Sequence, residues 1–332
     1  MQRAQVNDDA GFYDSEALKQ MIGQYVGMTG VPHKIRLTED TSDFFSIEYN
    51  DVVLLGGRPY LMRNNQKEGR FGIDDEPKFW VRKAIDLVDG AEKIIKMVFH
   101  ERYTANIGGI AFDCVRSPKK EARILDKVSG HDHFMHGFSV NDSAGNIIRI
   151  IDYIRGTNFS DYVLSLNKNH ELYYYTDFKR VLDDFIVLVQ AIEFLHNCDE
   201  KHGDVRRDHI IIDSVTGKGR WIDFDYTFTS RQNRFGFDLF GLGNILLFIA
   251  GRGDVTLQML QKNDPQALQR LTEEDMNIVF QNRLVNLKKI CPYINDALNL
   301  VLLHFSNGAN VFYDTVGEFL EDLMEARDKI NE

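Results

Sequence analysis

The amino-acid sequence predicts an α+β protein in which a strand-rich first half precedes a mostly helical second half. Between residues 33 and 100, short runs of β-branched and aromatic residues alternate with Gly and Asp-Gly turns, as antiparallel hairpins require. After residue 156, long segments carry apolar residues at helical spacing. A chain of 332 residues has room for two lobes, or for one core with an N-terminal extension.

The first half is predicted to contain strands between two helices. Residues 14–28 predict a short amphipathic helix with Asp14 as its cap. The predicted strands are KIRL, FFSIEY, DVVLLGG, PYLMRN, KFWVRKAIDL and KIIKMVF, and Asp89-Gly90 forms the turn between the last two. Residues 116–129 predict the second helix, and HGFSV and NIIRIIDYI predict two further strands.

The second half is predicted to be helical because its apolar residues recur every three or four positions. The segments with this pattern are DFKRVLDDFIVLVQAIEFLH, FDLFGLGNILLFIAG, DALNLVLLHF and YDTVGEFLEDLMEAR. Internal repeats and low-complexity tracts are absent from the sequence.

Composition disfavours several classes of partner and compartment. The formal charge of −11 would repel phosphate backbones, so binding of nucleic acids or anionic membranes is not expected. The three cysteines (Cys114, Cys198 and Cys291) form no C-x-x-C pair, which argues for a reducing compartment and against a zinc site. No apolar run reaches membrane-helix length, and the start MQRAQVNDDAG lacks a signal-peptide core. We therefore expect a cytoplasmic protein.

Two acids lie on either side of a predicted hairpin. The loop KHGDVRRDHIIID carries Asp204 and runs into a short strand, and Asp223 follows in WIDFDY. A hairpin between them can bring both carboxylates into one site. Phosphoryl transfer needs such a pair, since one carboxylate accepts the proton of the attacking hydroxyl and the other holds the metal at the phosphates. A charged turn with capping acids is the alternative for the loop taken alone.

These segments resemble the protein-kinase-like superfamily. HGDVRRDHIII is similar to the catalytic loop H-R-D-x-K-x-x-N-h-h, and IDFD is similar to the metal-binding D-F-G. The resemblance implies a two-lobed protein-kinase-like fold, with an antiparallel β-sheet N-lobe that carries one main helix and a mostly helical C-lobe. It implies Asp204 as catalytic base, Arg206 in place of the loop lysine and Asp223 as principal metal ligand. His209 stands where the metal-binding Asn is expected.

The resemblance continues upstream in the same order. FWVRKAIDLVDGAEKIIKMVF is similar to the second and third strands of a kinase N-lobe and implies Lys96 as the phosphate-pairing lysine. On a strand of period two, Ile94 and Lys96 face the same side, whereas the competing Lys93 faces the other. Glu121 in KKEARILDKV takes the helix position from which kinases pair this lysine. A solvated helix glutamate is the alternative for that position.

The resemblance also implies residues that bind ATP and support the loop. The implied nucleotide-binding set comprises Gly69, Gly72, Val81, Ile94, Lys96, Ile151, Asp152 and Ile154. In FDLFGLGNILLFI, Asp238 is similar to the buried aspartate that braces the catalytic loop through its amides, and an N-cap is its alternative role. The implied division is an extension over 1–59 that packs on or extends the N-lobe, an N-lobe over 60–155 and a C-lobe over 156–332.

Several positions depart from the family pattern. His209 in place of Asn favours Mn²⁺ over Mg²⁺, or one metal held mainly by Asp223. Asp225 replaces the glycine of D-F-G, and the short segment before Asp238 lacks A-P-E. Gly203 replaces the arginine that reads activation-loop phosphate, so switching by that phosphorylation is not expected. The pattern is most similar to bacterial, atypical Ser/Thr protein-kinase-like proteins with a short activation segment.

The sequence thus predicts an ATP-dependent phosphotransferase that moves the γ-phosphate to a hydroxyl acceptor, with protein Ser/Thr favoured. ATP and Mg²⁺ or Mn²⁺ are the expected cofactors. A small, sugar-type acceptor is an alternative. A pseudokinase or nucleotide-binding regulatory module is another, and transfer of AMP is a third.

Overall fold

The computed structural model describes residues 13–68, 76–107, 109–230 and 232–330. The chain forms two compact units. Unit 1 contains the described residues up to Phe99 together with Leu125–Ser129 and His136–Tyr153, and unit 2 contains His100–Ile124, Gly130–Met135 and the chain from Ile154 onwards. The two segments His100–Ile124 and Gly130–Met135 therefore group with the helical part of the chain, although the sequence places them in the predicted N-lobe.

The helices and strands have the following bounds. The strands are β1 (Leu37–Thr38), β2 (Val52–Leu55), β3 (Arg58–Glu68), β4 (Glu76–Asp86), β5 (Glu92–Lys96), β6 (Arg102–Ile107), β7 (Ile110–Arg116), β8 (Gly137–Asn141), β9 (Ile147–Asp152), β10 (Gly156–Asn158), β11 (Ile210–Asp213), β12 (Gly219–Trp221) and β13 (Tyr226–Thr229). The α-helices are α1 (Ser15–Val26), α2 (Pro118–Lys127), α3 (Phe159–Ser165), α4 (His170–Tyr173), α5 (Lys179–Asn197), α6 (Gly236–Ala250), α7 (Leu257–Asn263), α8 (Asp296–Leu303) and α9 (Val316–Asp328).

Unit 1 is built on a seven-stranded sheet with the order β1-β2-β3-β4-β5-β9-β8. Strand alternation gives this sheet two apolar faces. Val53 and Ile95 belong to the core on one face, and Val52 and Leu61 belong to a second cluster that includes Leu18 of α1. Helix α1 begins as the sequence predicts, because the Asp14 carboxylate accepts a hydrogen bond from the Ala17 amide at 2.7 Å. The extension thus buries part of the sheet.

The prediction of a strand at FFSIEY is wrong, because Phe44–Ser46 forms a 3₁₀ turn. The Ser46 hydroxyl donates to the Asp43 carbonyl at 2.9 Å, and Arg36 Nη1 donates to the Ser46 carbonyl at 2.5 Å. Such local side-chain bonds compete with a strand ladder. The KIRL strand is similarly reduced to Leu37–Thr38. The other strands predicted up to residue 152 are present, including the hairpin β4–β5.

Unit 2 contains two small sheets, with the orders β10-β11-β12 and β13-β7-β6. The sequence predicts the hairpin β11–β12, which pairs Ile210 with Trp221. It does not predict the hairpin β6–β7, because β6 lacks an apolar run and half of its side chains are exposed. Strand β13 pairs with β7, so that Phe228 lies opposite Cys114.

The helices α5, α6, α8 and α9 of unit 2 appear where apolar periodicity predicts them. Helix α6 is buried on nearly all sides, which explains its almost continuous apolar sequence. Gly241 lets α6 approach the loop after α5, since a Cβ there would lie 2.5 Å from the Val205 carbonyl oxygen. Among the described residues, no helix combines the length and apolarity needed to cross a bilayer.

Candidate active site

The loop after α5 and the loop after β12 bring two acids to one histidine. Asp204 lies in the first loop, Asp223 in the second, and His209 in the 3₁₀ turn that precedes β11. His209 Nδ1 lies 3.6 Å from Asp204 Oδ2, and His209 Nε2 lies 3.6 Å from Asp223 Oδ2. The hairpin β11–β12 fixes this arrangement, and the Ile222 amide donates to the His209 carbonyl at 2.9 Å.

The hydrogen bonds of His209 define its tautomer. Its Nδ1 lies 2.9 Å from the carbonyl oxygen of Asp204, which can only accept. Nδ1 therefore carries the proton, and in the neutral imidazole the lone pair of Nε2 faces Asp223. An imidazole held in this way is suited to bind a metal together with the Asp223 carboxylate.

Asp223 has an unusual backbone conformation. Its φ angle of 63° lies in the left-handed region, which is rare for residues other than Gly, Asn and Asp. An Asp tolerates this conformation better than most other residues would. Asp223 lies between β12 and the buried residues Phe224 and Asp225.

Asp238 supports the first loop from the buried first turn of α6. Its carboxylate accepts the amides of His202 and Gly203, both at 2.8 Å, and lies 2.9 Å from His196 Nε2. Burial opposes ionisation of this carboxyl, but the hydrogen bond and charge of His196 hold its pKa below the usual value. The alternative role as N-cap is wrong, because Phe235 occupies the N-cap of α6.

Asp225 forms a buried ion pair with Arg116. Arg116 Nη1 contacts Asp225 Oδ2 at 2.5 Å, and its Nη2 donates to the Tyr226 hydroxyl at 2.8 Å. Burial lowers the pKa of Arg116, but the carboxylates of Asp225 and Asp223 raise it overall above the usual value. The pair therefore carries no net charge next to Asp223.

Three carboxylates near the second loop have ligand atoms within 4.8 Å of one another. They belong to Glu121, Asp223 and Asp225, which makes this group a possible metal site. Carboxylate oxygens are the donors that Mg²⁺ and Mn²⁺ prefer, so the chemistry fits the implied metal. The sequence predicts Asp223 and His209 as ligands and assigns Glu121 a different role, and the structure brings all of them to one region of unit 2.

Within unit 1, Lys96 ends strand β5 and is 3% exposed. Ile95 faces the core of the sheet, so Ile94 and Lys96 face the opposite side. Lys96 pairs in register with Val81 of β4, and Ile94 pairs with Ile151 of β9. Five residues of the implied nucleotide-binding set, these four and Asp152, thus occupy adjacent strands.

Besides those four, the implied nucleotide-binding set contains Asp152, Ile154, Gly69 and Gly72. Asp152 binds the ammonium of Lys93 at 2.5 Å, which gives the competing lysine a partner on the sheet. Ile154 is partly buried just after β9. Gly69 and Gly72 lie outside the described residues.

Two basic residues, Arg206 and Lys120, make hydrogen bonds to groups of the two loops. Arg206 Nε donates to Asp208 Oδ1 at 3.0 Å, so its guanidinium pairs within its own loop. Lys120, in the first half of α2, donates from Nζ to backbone carbonyls of both loops. Burial lowers the pKa of Lys120 to about 8. Sequence reasoning missed Lys120, because a lysine in an amphipathic helix usually faces solvent.

The buried His202 makes the stability of the protein sensitive to acid. Its side chain is 0% exposed, and burial lowers its pKa to about 3. Between this value and about 6.5, the unfolded chain binds a proton that the folded chain excludes, so stability falls as pH drops. Protonation of Asp238, whose pKa is also lowered, acts in the same direction.

We expect the free energy of unfolding to fall by about 1.4 kcal/mol for each pH unit inside this window from His202 alone. Urea unfolding at about pH 7, 6 and 5 measures the slope. His202→Gln should flatten it, whereas His33→Gln, at an exposed position, should not. An unchanged slope in His202→Gln would assign the acid sensitivity to other groups.

The chain is similar to a distant relative among known proteins. A Caenorhabditis elegans protein with the provisional name ribosomal protein S6 kinase alpha-2 is 22% identical over 191 residues, which cover 57% of this chain and 20% of that protein. No family model matches the chain. The match supports a distant protein-kinase-like relationship. It spans about a fifth of the relative, so the activity of the whole relative does not transfer directly.

Proposed function

We propose that the protein is an ATP-dependent phosphotransferase that moves the γ-phosphate to a hydroxyl acceptor. The observation that carries this proposal is the position of His209, which lies 3.6 Å from the carboxylates of both Asp204 and Asp223. One carboxylate can accept the proton of the acceptor hydroxyl while the other holds a metal. The distant kinase relative supports the same reaction class, and the α+β architecture, with a strand-rich unit and a helix-rich unit, is compatible with it.

Each side chain has a distinct role in this proposal. Asp204 accepts the hydroxyl proton, and Arg206, whose guanidinium binds Asp208, takes the place of the loop lysine. Asp223 and His209, with Glu121 as a further oxygen donor, would hold Mg²⁺ or Mn²⁺. When bound, the metal neutralises charge on the nucleotide phosphates.

Unit 1 supplies the nucleotide-binding residues in this proposal. Lys96, at the end of β5, binds a phosphate group of the nucleotide. The apolar residues Val81, Ile94 and Ile151 contact the adenine. These positions share or neighbour the strand of Lys96. Ile94 is bulky, so we expect a narrow adenine site.

We propose a protein Ser or Thr hydroxyl as acceptor. The name of the relative, a kinase of a ribosomal protein, supports this choice. A small hydroxylated acceptor is the second candidate, because only 14 residues separate Asp223 from Asp238 and leave little chain to dock a peptide.

The direct test is transfer of label from γ-labelled ATP, with Mg²⁺ and Mn²⁺ compared, to protein and sugar acceptors. The wild type should label an acceptor, Asp223→Ala should not, and the exposed-site variant Glu321→Ala should match the wild type. Label that follows the α-phosphate instead would indicate AMP transfer. Nucleotide-dependent thermal stabilisation without any transfer would indicate a pseudokinase and contradict the proposal.

His209→Asn should alter metal preference. The imidazole is acceptable to Mn²⁺ but poor for Mg²⁺, whereas an amide oxygen suits both. Because Asn exchanges a nitrogen ligand that Mg²⁺ disfavours for an oxygen ligand that both metals accept, we expect the ratio of Mg²⁺ affinity to Mn²⁺ affinity to rise about tenfold. Titration of each metal in the presence of a non-hydrolysable ATP analogue measures this, and the exposed His33→Gln is the control. Equal changes for both metals would remove His209 from the ligand set.

A further inference from the structure

The ammonium of Lys120 contacts the two loops that carry the proposed catalytic acids. Its Nζ donates to the carbonyl oxygens of His202 at 2.7 Å, Phe224 at 2.9 Å and Tyr226 at 2.5 Å. The first carbonyl lies two residues before Asp204, and the other two follow the second acid. One side chain therefore binds the main chain of both loops.

The two loops approach each other so closely at this point that a side chain would not fit. Gly203 has a φ angle of 86°, and a Cβ there would lie 1.8 Å from the Tyr226 carbonyl oxygen and 3.3 Å from Lys120 Nζ. Lys120 itself is 4% exposed. Three carbonyl dipoles that converge in a space closed to solvent need a cation or several donors, and the ammonium supplies both.

Helix α2 is attached to the same loops by other contacts. The Ser117 amide donates to the Asp225 carbonyl at 2.7 Å, and Arg123 makes two hydrogen bonds to Glu200, at 2.6 and 2.9 Å. These contacts do not involve Lys120. Replacement of Lys120 should therefore leave α2 in place and affect mainly the arrangement of the loops.

We propose that Lys120 is a positioning residue for phosphate transfer, which holds the loops of Asp204 and Asp223 in one arrangement by binding their main-chain carbonyls. The inference rests on the proposed function and adds a residue outside the implied catalytic set. It requires a cation at this position, so a neutral, unbranched side chain of similar size should fail.

The test uses Lys120→Ala and Lys120→Met in the full chain, with the exposed neighbour variant Lys119→Ala as control. Because small displacements of reacting groups can cost about 10²-fold, we expect kcat of both Lys120 variants to fall by about that factor. Added propylammonium matches the atoms lost in Lys120→Ala and should restore part of kcat. It should not rescue Lys120→Met, whose side chain fills the space. Lys119→Ala should behave as the wild type.

Amide hydrogen exchange gives a readout that does not depend on turnover. Exchange within residues 201–205 and 222–226 should be faster in Lys120→Met than in the wild type, with the amides of α9 unchanged. Wild-type kcat in Lys120→Ala, or lost activity that propylammonium does not restore, would overturn the positioning role. If the wild type transfers no phosphate, the proposed function fails, and unchanged exchange in Lys120→Met would separately overturn the effect on the loops. If Lys120→Ala does not fold, exchange in Lys120→Met decides.

Discussion

Asp204→Asn is expected to lower kcat for γ-phosphate transfer by about 10²–10⁴-fold, the usual contribution of a general base. The amide keeps the shape of the carboxylate but cannot accept the hydroxyl proton. The loop should keep its conformation, because residue 204 binds its neighbours through main-chain atoms. Its main-chain N–H donates to His202 Nδ1 at 3.3 Å, and its main-chain carbonyl lies 2.9 Å from His209 Nδ1. Steady-state kinetics with labelled ATP measures the effect.

The control for this substitution is Asp126→Asn, which changes an exposed carboxylate of α2. It should leave kcat unchanged. Thermal stabilisation by the nucleotide should be similar in Asp204→Asn and in the wild type, since the substitution leaves the proposed nucleotide-binding residues unaltered. An Asp204→Asn protein with wild-type kcat would show that another group accepts the proton.

Asp238→Ala is expected to cause a large loss of stability. It removes a fully buried carboxylate. That carboxylate accepts hydrogen bonds from the main-chain amides of His202 and Gly203 and lies 2.9 Å from His196 Nε2. Each buried donor left without a partner costs about 1–3 kcal/mol. Since these costs overlap, we expect the free energy of unfolding to fall by about 3–5 kcal/mol, as when a buried ion pair loses one partner.

Urea denaturation of Asp238→Ala and of Glu321→Ala, an exposed acid on α9, measures this difference. The control should stay within about 0.5 kcal/mol of the wild type. A loss of less than about 1 kcal/mol in Asp238→Ala would mean that water or another group replaces the carboxylate.

Local patterns predicted most of the regular structure. Runs of β-branched and aromatic residues between turns predicted the strands β2 to β5, β8 and β9, and apolar spacing predicted α5, α6, α8 and α9. Asp14 predicted the start of α1, because an N-cap bonds to an amide only three residues away. The wrong strand prediction also has a local cause. FFSIEY has the composition of a strand, but Ser46 and Arg36 bind its backbone in a turn.

The candidate site was predicted only in part. Asp204 and Asp223 were expected to converge because a hairpin separates them, and both lie beside His209. No local sequence pattern predicts that Arg116 binds Asp225 or that Lys120 binds the two loops, since each of these residues is more than 80 positions from the groups it binds. The sequence by itself determined the α+β class, the elements and the spacing of the two acids, because these depend on periodicity and short-range bonds. Only the tertiary structure decided which charged side chains are buried and what they bind, because the cost of burying a charge depends on neighbours that are distant in the chain.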